Sequence, residues 1–255
     1  MKVIFCGVGE AFDENLANTS ILVQSEDNTY SLLLDLGFTA ASAYWQVNPN
    51  PLTLDAIWIS HFHGDHFFGL PALLLRFYEH KRTKPLTIIG QPGIDDLVTA
   101  SVGLAYPSLW PKLTYPVLFI EAKVDKNVDL ALFSLAFAPT KHPQDCLGIK
   151  ITSGNGSIFY SGDGRPTKEC LCLAQKCDLV ICEAYTLEDM VPGHNNVHDA
   201  MDFAREACAK SLALVHLQRD VRRKHSQKIK KILQANNDIR VFLPEPGDKI
   251  IVPGS

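Results

Sequence analysis

The sequence predicts an α+β fold of four layers, an αββα sandwich with helices outside two packed β-sheets. Strand-like and helix-like segments alternate loosely through two halves of similar make-up. Apolar residues make up 46% of the 255-residue chain, enough to fill a sizeable core. No repeat of fixed period is present, so residues 1–255 read as a single domain with two related halves.

Residues 2–6 form an apolar opening strand. Residues 20–24 and 31–35 read as paired strands around the turn-rich Ser25-Glu26-Asp27-Asn28. Residues 54–60 are almost continuously apolar, as in a strand buried on both faces. A helix follows at residues 71–80, with Pro71 suited to its first turn. Residues 86–90 are a short strand, and residues 94–98 open a helix. Residues 106–116, rich in proline and aromatics, read as a loop over the site. In the second half, residues 130–138, 147–152, 157–161 and 179–183 read as strands. Asn155-Gly156 between two of them marks a tight hairpin. Met201, Ala204 and Cys208 fall at helical spacing within residues 199–210. A strand at 212–216, a basic helix at 226–235 and strands at 241–243 and 249–252 complete the chain.

The formal net charge of −4 excludes a chain that binds nucleic acid by overall charge, though not a local basic patch. The longest apolar runs, such as residues 70–75, fall far short of the roughly 18 residues that a membrane span requires. The first residues read as a strand without a signal-type cleavage site. The expectation is therefore a cytoplasmic protein with its seven cysteines reduced. Cys170, Cys172, Cys177 and Cys182 cluster without the paired spacing of a zinc ribbon, and read as small buried hydrophobes.

The chemistry concentrates in His61-Phe62-His63-Gly64-Asp65-His66, directly after the apolar strand. In extended backbone, residues two apart point the same way, so His61 and His63 can aim at one ion. Gly64 permits a change of direction that turns Asp65 and His66 toward a second. Three imidazoles and a carboxylate within six residues suit zinc and have little structural use. One strand end cannot complete two coordination spheres. His142, Asp163 and His216, each after a predicted strand, are the distant candidates, with Asp163 chosen as the bridge because one carboxylate has two oxygens.

The run from His61 to Pro71 resembles the signature of the metallo-β-lactamase fold superfamily, most closely its ribonuclease Z group and related phosphodiesterases. Phe5-Cys6-Gly7-Val8-Gly9-Glu10-Ala11-Phe12 is similar to that group's glycine-rich turn, and Asn18 and Ser20 to its following Asn and Ser. Ile89-Gly90-Gln91-Pro92-Gly93, Ser161-Gly162-Asp163-Gly164 and Glu183-Ala184-Tyr185-Thr186 resemble its later motifs. So do His198-Asp199-Ala200 and Leu214-Val215-His216-Leu217. The resemblance implies two mixed β-sheets flanked by helices and two Zn2+ per chain, with Mn2+ or Fe as alternatives. It implies that His61, His63 and His142 hold one ion, that Asp65, His66 and His216 hold the other, and that Asp163 bridges.

On this reading Asp65 orients or deprotonates the attacking hydroxide, and His198, oriented by Glu183, protonates the leaving oxygen. The Glu–His pair points to phosphodiesters. His194 matches no motif and reads as a turn residue; His80 and His225 read as surface groups. The basic stretch from Arg219 to Lys231 is either a phosphate-contacting surface or the solvated face of a helix. Ribonuclease Z enzymes that process tRNA carry a long arm between the residues matching His142 and Asp163, and this chain has room there only for a hairpin. The expected substrate is a cyclic or small phosphodiester or a short RNA. Processing of tRNA 3′ ends, hydrolysis of a lactone or thioester, and a metal-binding module without turnover are the alternatives. No membrane partner is expected, and a homodimer is left open.

Overall fold

The computed structural model describes residues 1–253. The first half supplies β1 (Lys2–Gly7), β2 (Ser20–Gln24), β3 (Ser31–Leu34), β4 (Ala56–Trp58), β5 (Leu86–Gly90) and β6 (Val117–Glu121). Its helices are α1 (Ala40–Val47), α2 (Gly64–Phe67), α3 (Leu70–Glu79) and α4 (Ile94–Ala105). The second half supplies β7 (Val128–Leu130), β8 (Phe133–Lys141), β9 (Leu147–Ser153), β10 (Gly156–Tyr160), β11 (Arg165–Pro166), β12 (Leu179–Glu183) and β13 (Ser211–Val215). With them come α5 (Lys168–Ala174), α6 (Val197–Glu206), α7 (Arg219–Lys224) and α8 (Ser226–Ala235), then β14 (Arg240–Phe242) and β15 (Lys249–Ile251).

The first sheet runs β15-β1-β2-β3-β4-β5-β6, and the second runs β11-β8-β9-β10-β12-β13-β14 with β7 beside β8. Both are mixed. Strands β3 to β6 pair in parallel while β15, β1, β2 and β3 pair antiparallel. In the second sheet β10, β12, β13 and β14 are parallel and β8, β9 and β10 antiparallel. Strand alternation sorts the side chains. Val3 and Phe5 of β1 enter the layer between the sheets with Trp58, Phe137, Ile149 and Ile181. Ile4 and Cys6 face the other way and pack with Tyr44, Leu74 and Phe77 of the outer helices. Val180 and Cys182 of β12 likewise pack outward against Cys170, Ala174, Met201 and Ala204. The predicted four-layer arrangement is therefore the observed one.

Several local expectations need correction. Strand β4 is shorter than residues 54–60, because the Ser60 amide donates to Asp35 Oδ1 (2.7 Å) instead of to a neighbouring strand. The predicted strand at 130–138 is divided between β7 and β8 by a turn at Ala131, whose φ is 43°. Gly156 already pairs with Ser153, so the tight hairpin turns on Gly154-Asn155; Gly154 at φ 58° supplies the positive φ that a two-residue loop requires. Residues 106–116 do not form a cover over the site: Leu109 and Tyr115 bury against α3 and α4, and Tyr115 Oη donates to the Leu74 carbonyl (3.0 Å). Cys170, Cys177 and Cys182 are buried as expected, whereas Cys172 is exposed. No helix among the described residues is long and apolar enough to cross a membrane.

Candidate metal centre and catalytic site

Each candidate donor follows or ends a strand at its C-terminal end. His61 to His66 follow β4, His142 follows β8, Asp163 follows β10, Glu183 ends β12 and His216 follows β13. The parallel strands of both sheets thus deliver their ends to one edge of the sandwich. His216 takes a left-handed backbone conformation there, with φ at 59°.

Two groups of donors form. The rings of His61, His63 and His142 make a triangle with each pair of centroids 4.8 Å apart. Beside it, Asp65 Oδ2 lies 3.3 Å from both His66 Nε2 and His216 Nε2. Asp163 Oδ2 lies 3.4 Å from His66 Nε2, 3.5 Å from His216 Nε2 and 3.9 Å from His61 Nε2. Asp163 therefore stands between the groups.

The surrounding hydrogen bonds aim the imidazoles. Ser60 Oγ donates to Asp35 Oδ2 (2.8 Å) and meets His61 Nδ1 at 3.0 Å, so it accepts the Nδ1 proton and leaves Nε2 as a free lone pair. His66 Nδ1 donates to Asp35 Oδ2 (2.8 Å), and His142 Nδ1 donates to the Gln144 carbonyl (3.1 Å). Asp35 is wholly buried and also accepts from Tyr160 Oη (2.7 Å) across the sandwich. It is a candidate positioning residue that the sequence does not single out; its only signal is a lone carboxylate in the apolar run Leu32-Leu33-Leu34-Asp35-Leu36.

The electrostatics match this geometry. Burial and the neighbouring His66 push the His61 imidazole well below its ordinary value, so it stays neutral. Burial alone would raise the Asp163 carboxyl, but His216 and His66 hold it well below the carboxylate range. Burial opposes protonation of His216, yet the Asp163 charge and the Asp65 hydrogen bond raise it to about 9. The buried Nε2 atoms of His61 and His66 find no hydrogen-bond partner among the described residues. Unpartnered nitrogen lone pairs converging beside two carboxylates fit a cation, and the nitrogen–oxygen donor set suits zinc, manganese or iron.

Glu183 and His198, the expected pair, do not meet. Asn196 caps α6 by accepting from the Asp199 amide (2.8 Å), which starts the helix at Val197. Val197 turns inward, and His198 points outward, 48% exposed, with Nε2 3.9 Å from Glu188. His194 occupies the place expected for His198. Its Nδ1 lies 3.2 Å from both oxygens of buried Glu183, its ring stacks on Tyr185 at 4.7 Å, and Arg165 Nε donates to its carbonyl (3.0 Å). Burial raises the Glu183 carboxyl; it lowers the His194 imidazole, which the Glu183 hydrogen bond and charge raise overall. The pattern Asn196-x-x-Asp199 was the available signal: reading Asn196 as the cap leaves His194 in the loop at the strand ends.

A cleft of about 410 Å³ opens onto these groups, lined by Asp65, Asp163, His194 and His216 with Phe12, Phe38, Phe68 and Tyr185 among the other walls. Arg219 stands at its margin, paired with Glu10 at 2.7 Å. Further along the basic stretch, Lys228 pairs with Glu188 (2.8 Å) and Arg222 with Glu245 (2.9 Å), as on a solvated helix face.

Comparison with known proteins agrees with this architecture. Residues 1–237 match the family described as Anti-Pycsar protein Apyc1. Ribonuclease BN of Escherichia coli is 33% identical, covering 85% of this chain and 89% of its own. Ribonuclease Z of Picrophilus torridus is 26% identical, covering 84% of this chain and 85% of its own. Among solved structures, the metallo-β-lactamase fold protein YhfI of Bacillus subtilis superposes with a TM-score of 0.76 at 26% identity, covering 98% of both chains. Human tRNase Z, short form, superposes with a TM-score of 0.80 at 22% identity, over 99% of this chain and 100% of its own. The chain accordingly belongs to the family described as Anti-Pycsar protein Apyc1 and is a hydrolase of the metallo-β-lactamase fold.

Proposed function

We propose that this chain is a zinc-dependent phosphodiesterase acting on cyclic or other small phosphodiesters or on short RNA. The observation that carries the reading is the Glu183–His194 pair, set at 3.2 Å beside both donor groups, with His194 open to the same cleft. His61, His63 and His142 would hold one zinc ion, Asp65, His66 and His216 the other, and Asp163 would serve both. When bound, the ions supply Lewis acidity, lowering the pKa of water and neutralising charge that develops on the phosphoryl group.

The chain's own residues do the rest. Asp65, on the cleft wall, holds the attacking water in line and takes its proton. His194 donates a proton to the leaving oxygen, and Glu183 fixes the ring by accepting from Nδ1 so that Nε2 faces the cleft. Asp35 keeps His66 in one tautomer with Nε2 directed at the donor group. The aromatic walls Phe12, Phe38 and Phe68 limit water around the reacting group.

Relatives named ribonuclease Z and ribonuclease BN favour RNA as an alternative substrate. Against a whole tRNA stands the interval from His142 to Asp163, where β9 and β10 are joined by two residues. Zinc-loaded protein offered bis-p-nitrophenyl phosphate, a tRNA precursor and a lactone in parallel tests the reading. Diester cleavage is expected; robust lactone opening without diester cleavage overturns it.

A further inference from the structure

We infer that the two donor groups load in a fixed order: Asp65, His66, Asp163 and His216 bind the first and tighter ion, and the His61–His63–His142 triangle binds a second, exchangeable one. The inference rests on the two-ion reading above and adds how that site is regulated. The first group brings two carboxylates against two imidazoles: Asp65 Oδ2 and Asp163 Oδ2 each lie 3.3–3.5 Å from the Nε2 atoms of His66 and His216. All four are at most 9% exposed. A divalent cation there would offset two buried carboxylates, which is a larger gain than neutral donors alone provide. Its His66 is also braced by a third buried carboxylate, Asp35, at 2.8 Å.

The triangle has less of this: only His61 is fully buried, and its ring is braced by Ser60 Oγ at 3.0 Å. The triangle's own donors are three imidazoles, and it shares the Asp163 carboxylate, 3.9 Å from His61 Nε2, with the first group. His142 is braced only by a backbone carbonyl, at 3.1 Å. His63 is exposed, lies on the cleft wall, and its ring makes no hydrogen bond among the described residues. Holding an ion there requires fixing a free side chain, and solvent reaches the site directly. A protein short of metal therefore holds one ion in the buried group, and the supply of metal to the triangle sets the fraction of complete sites.

Zinc titrated calorimetrically into metal-stripped wild type and into His63→Ala and His216→Ala decides the matter. Wild type should bind two equivalents, the first tighter by about tenfold or more. His63→Ala should keep the tight equivalent and lose the weak one, while His216→Ala should lose the tight one. A graded chelator series on zinc-loaded wild type, read by elemental analysis, gives the order without stripping and should pass through a one-ion form. Two equivalents of a single affinity leaving together, or loss of the tight ion in His63→Ala, overturns the order while leaving the two-ion reading standing. Saturation of wild type at one equivalent overturns both.

Discussion

The Glu183 carboxylate meets the His194 ring at 3.2 Å, while His198 stands on the outer face of α6 beside Glu188. On the proposed reading, this relationship gives the leaving-group proton to His194. Replacing His194 with Ala is expected to lower kcat on a diester with an alkyl leaving group by about 10²–10⁴-fold. The loss should shrink with p-nitrophenolate, which departs without a proton. His198→Ala should leave both rates within about twofold of wild type. Steady-state kinetics on the two substrates check this, and equal losses on both would contradict a role as acid.

Asp35 joins β3 to Ser60, His66 and Tyr160 through one carboxylate. Asp35→Ala is expected to weaken zinc binding by about 10–100-fold, because His66 loses the acceptor that fixes its tautomer. Tyr160→Phe removes only one of the donors and should cost less. Zinc affinities measured by competition with a chromophoric chelator read the difference.

Gly37 lets the Asp65 loop approach closely. A Cβ at residue 37 would fall 1.9 Å from the Asp65 carbonyl oxygen and 2.8 Å from Asn18 Cβ. Gly37→Ala is therefore expected to destabilise the fold by about 1–3 kcal/mol, as overpacked sites do. Thermal unfolding should show Tm lowered by about 2–4 °C per kcal/mol. An unchanged Tm would mean that the loop moves aside without cost.

Away from the site, Asp178 links β10 to the start of β12. Burial would raise its carboxyl, but Lys210 Nζ (2.6 Å) and the Ser157 amide (2.9 Å) hold it below the carboxylate range. A depressed folded value means stability that is present above the unfolded value of about 3.9 and lost as pH falls through the folded one. Asp178→Asn should thus cost about 1–2 kcal/mol at neutral pH, less if the exposed Lys210 contributes little. The gap from wild type should narrow as pH drops below that range. Urea unfolding at several pH values tests the sign.

The layers were legible because both periodicities are strong. Val3 and Phe5 against Ile4 and Cys6 state which face of β1 meets which layer, and β2, β5 and β12 occupy the residues that their apolar runs predict. The donors were legible as candidates because three imidazoles and a carboxylate within six residues have little structural use, and that cluster requires distant partners such as His142, Asp163 and His216. What stayed hidden depends on contacts distant in sequence. Asp35 acquires meaning only when Tyr160, 125 residues away, arrives from the other sheet. His194 and His198 both precede or open the same helix, and the choice between them turns on whether Asn196 or Asp199 is the cap. Short helices such as α2 and α7 carry too few residues for a period to show.

Phosphorus NMR of a cyclic nucleotide incubated with the zinc-loaded chain tests the central claim most directly. The diester resonance should give way to that of a phosphomonoester without release of inorganic phosphate, and should persist with His194→Ala. A cyclic nucleotide that stays intact at zinc saturation, while a lactone is opened by the same preparation, would contradict a phosphodiesterase.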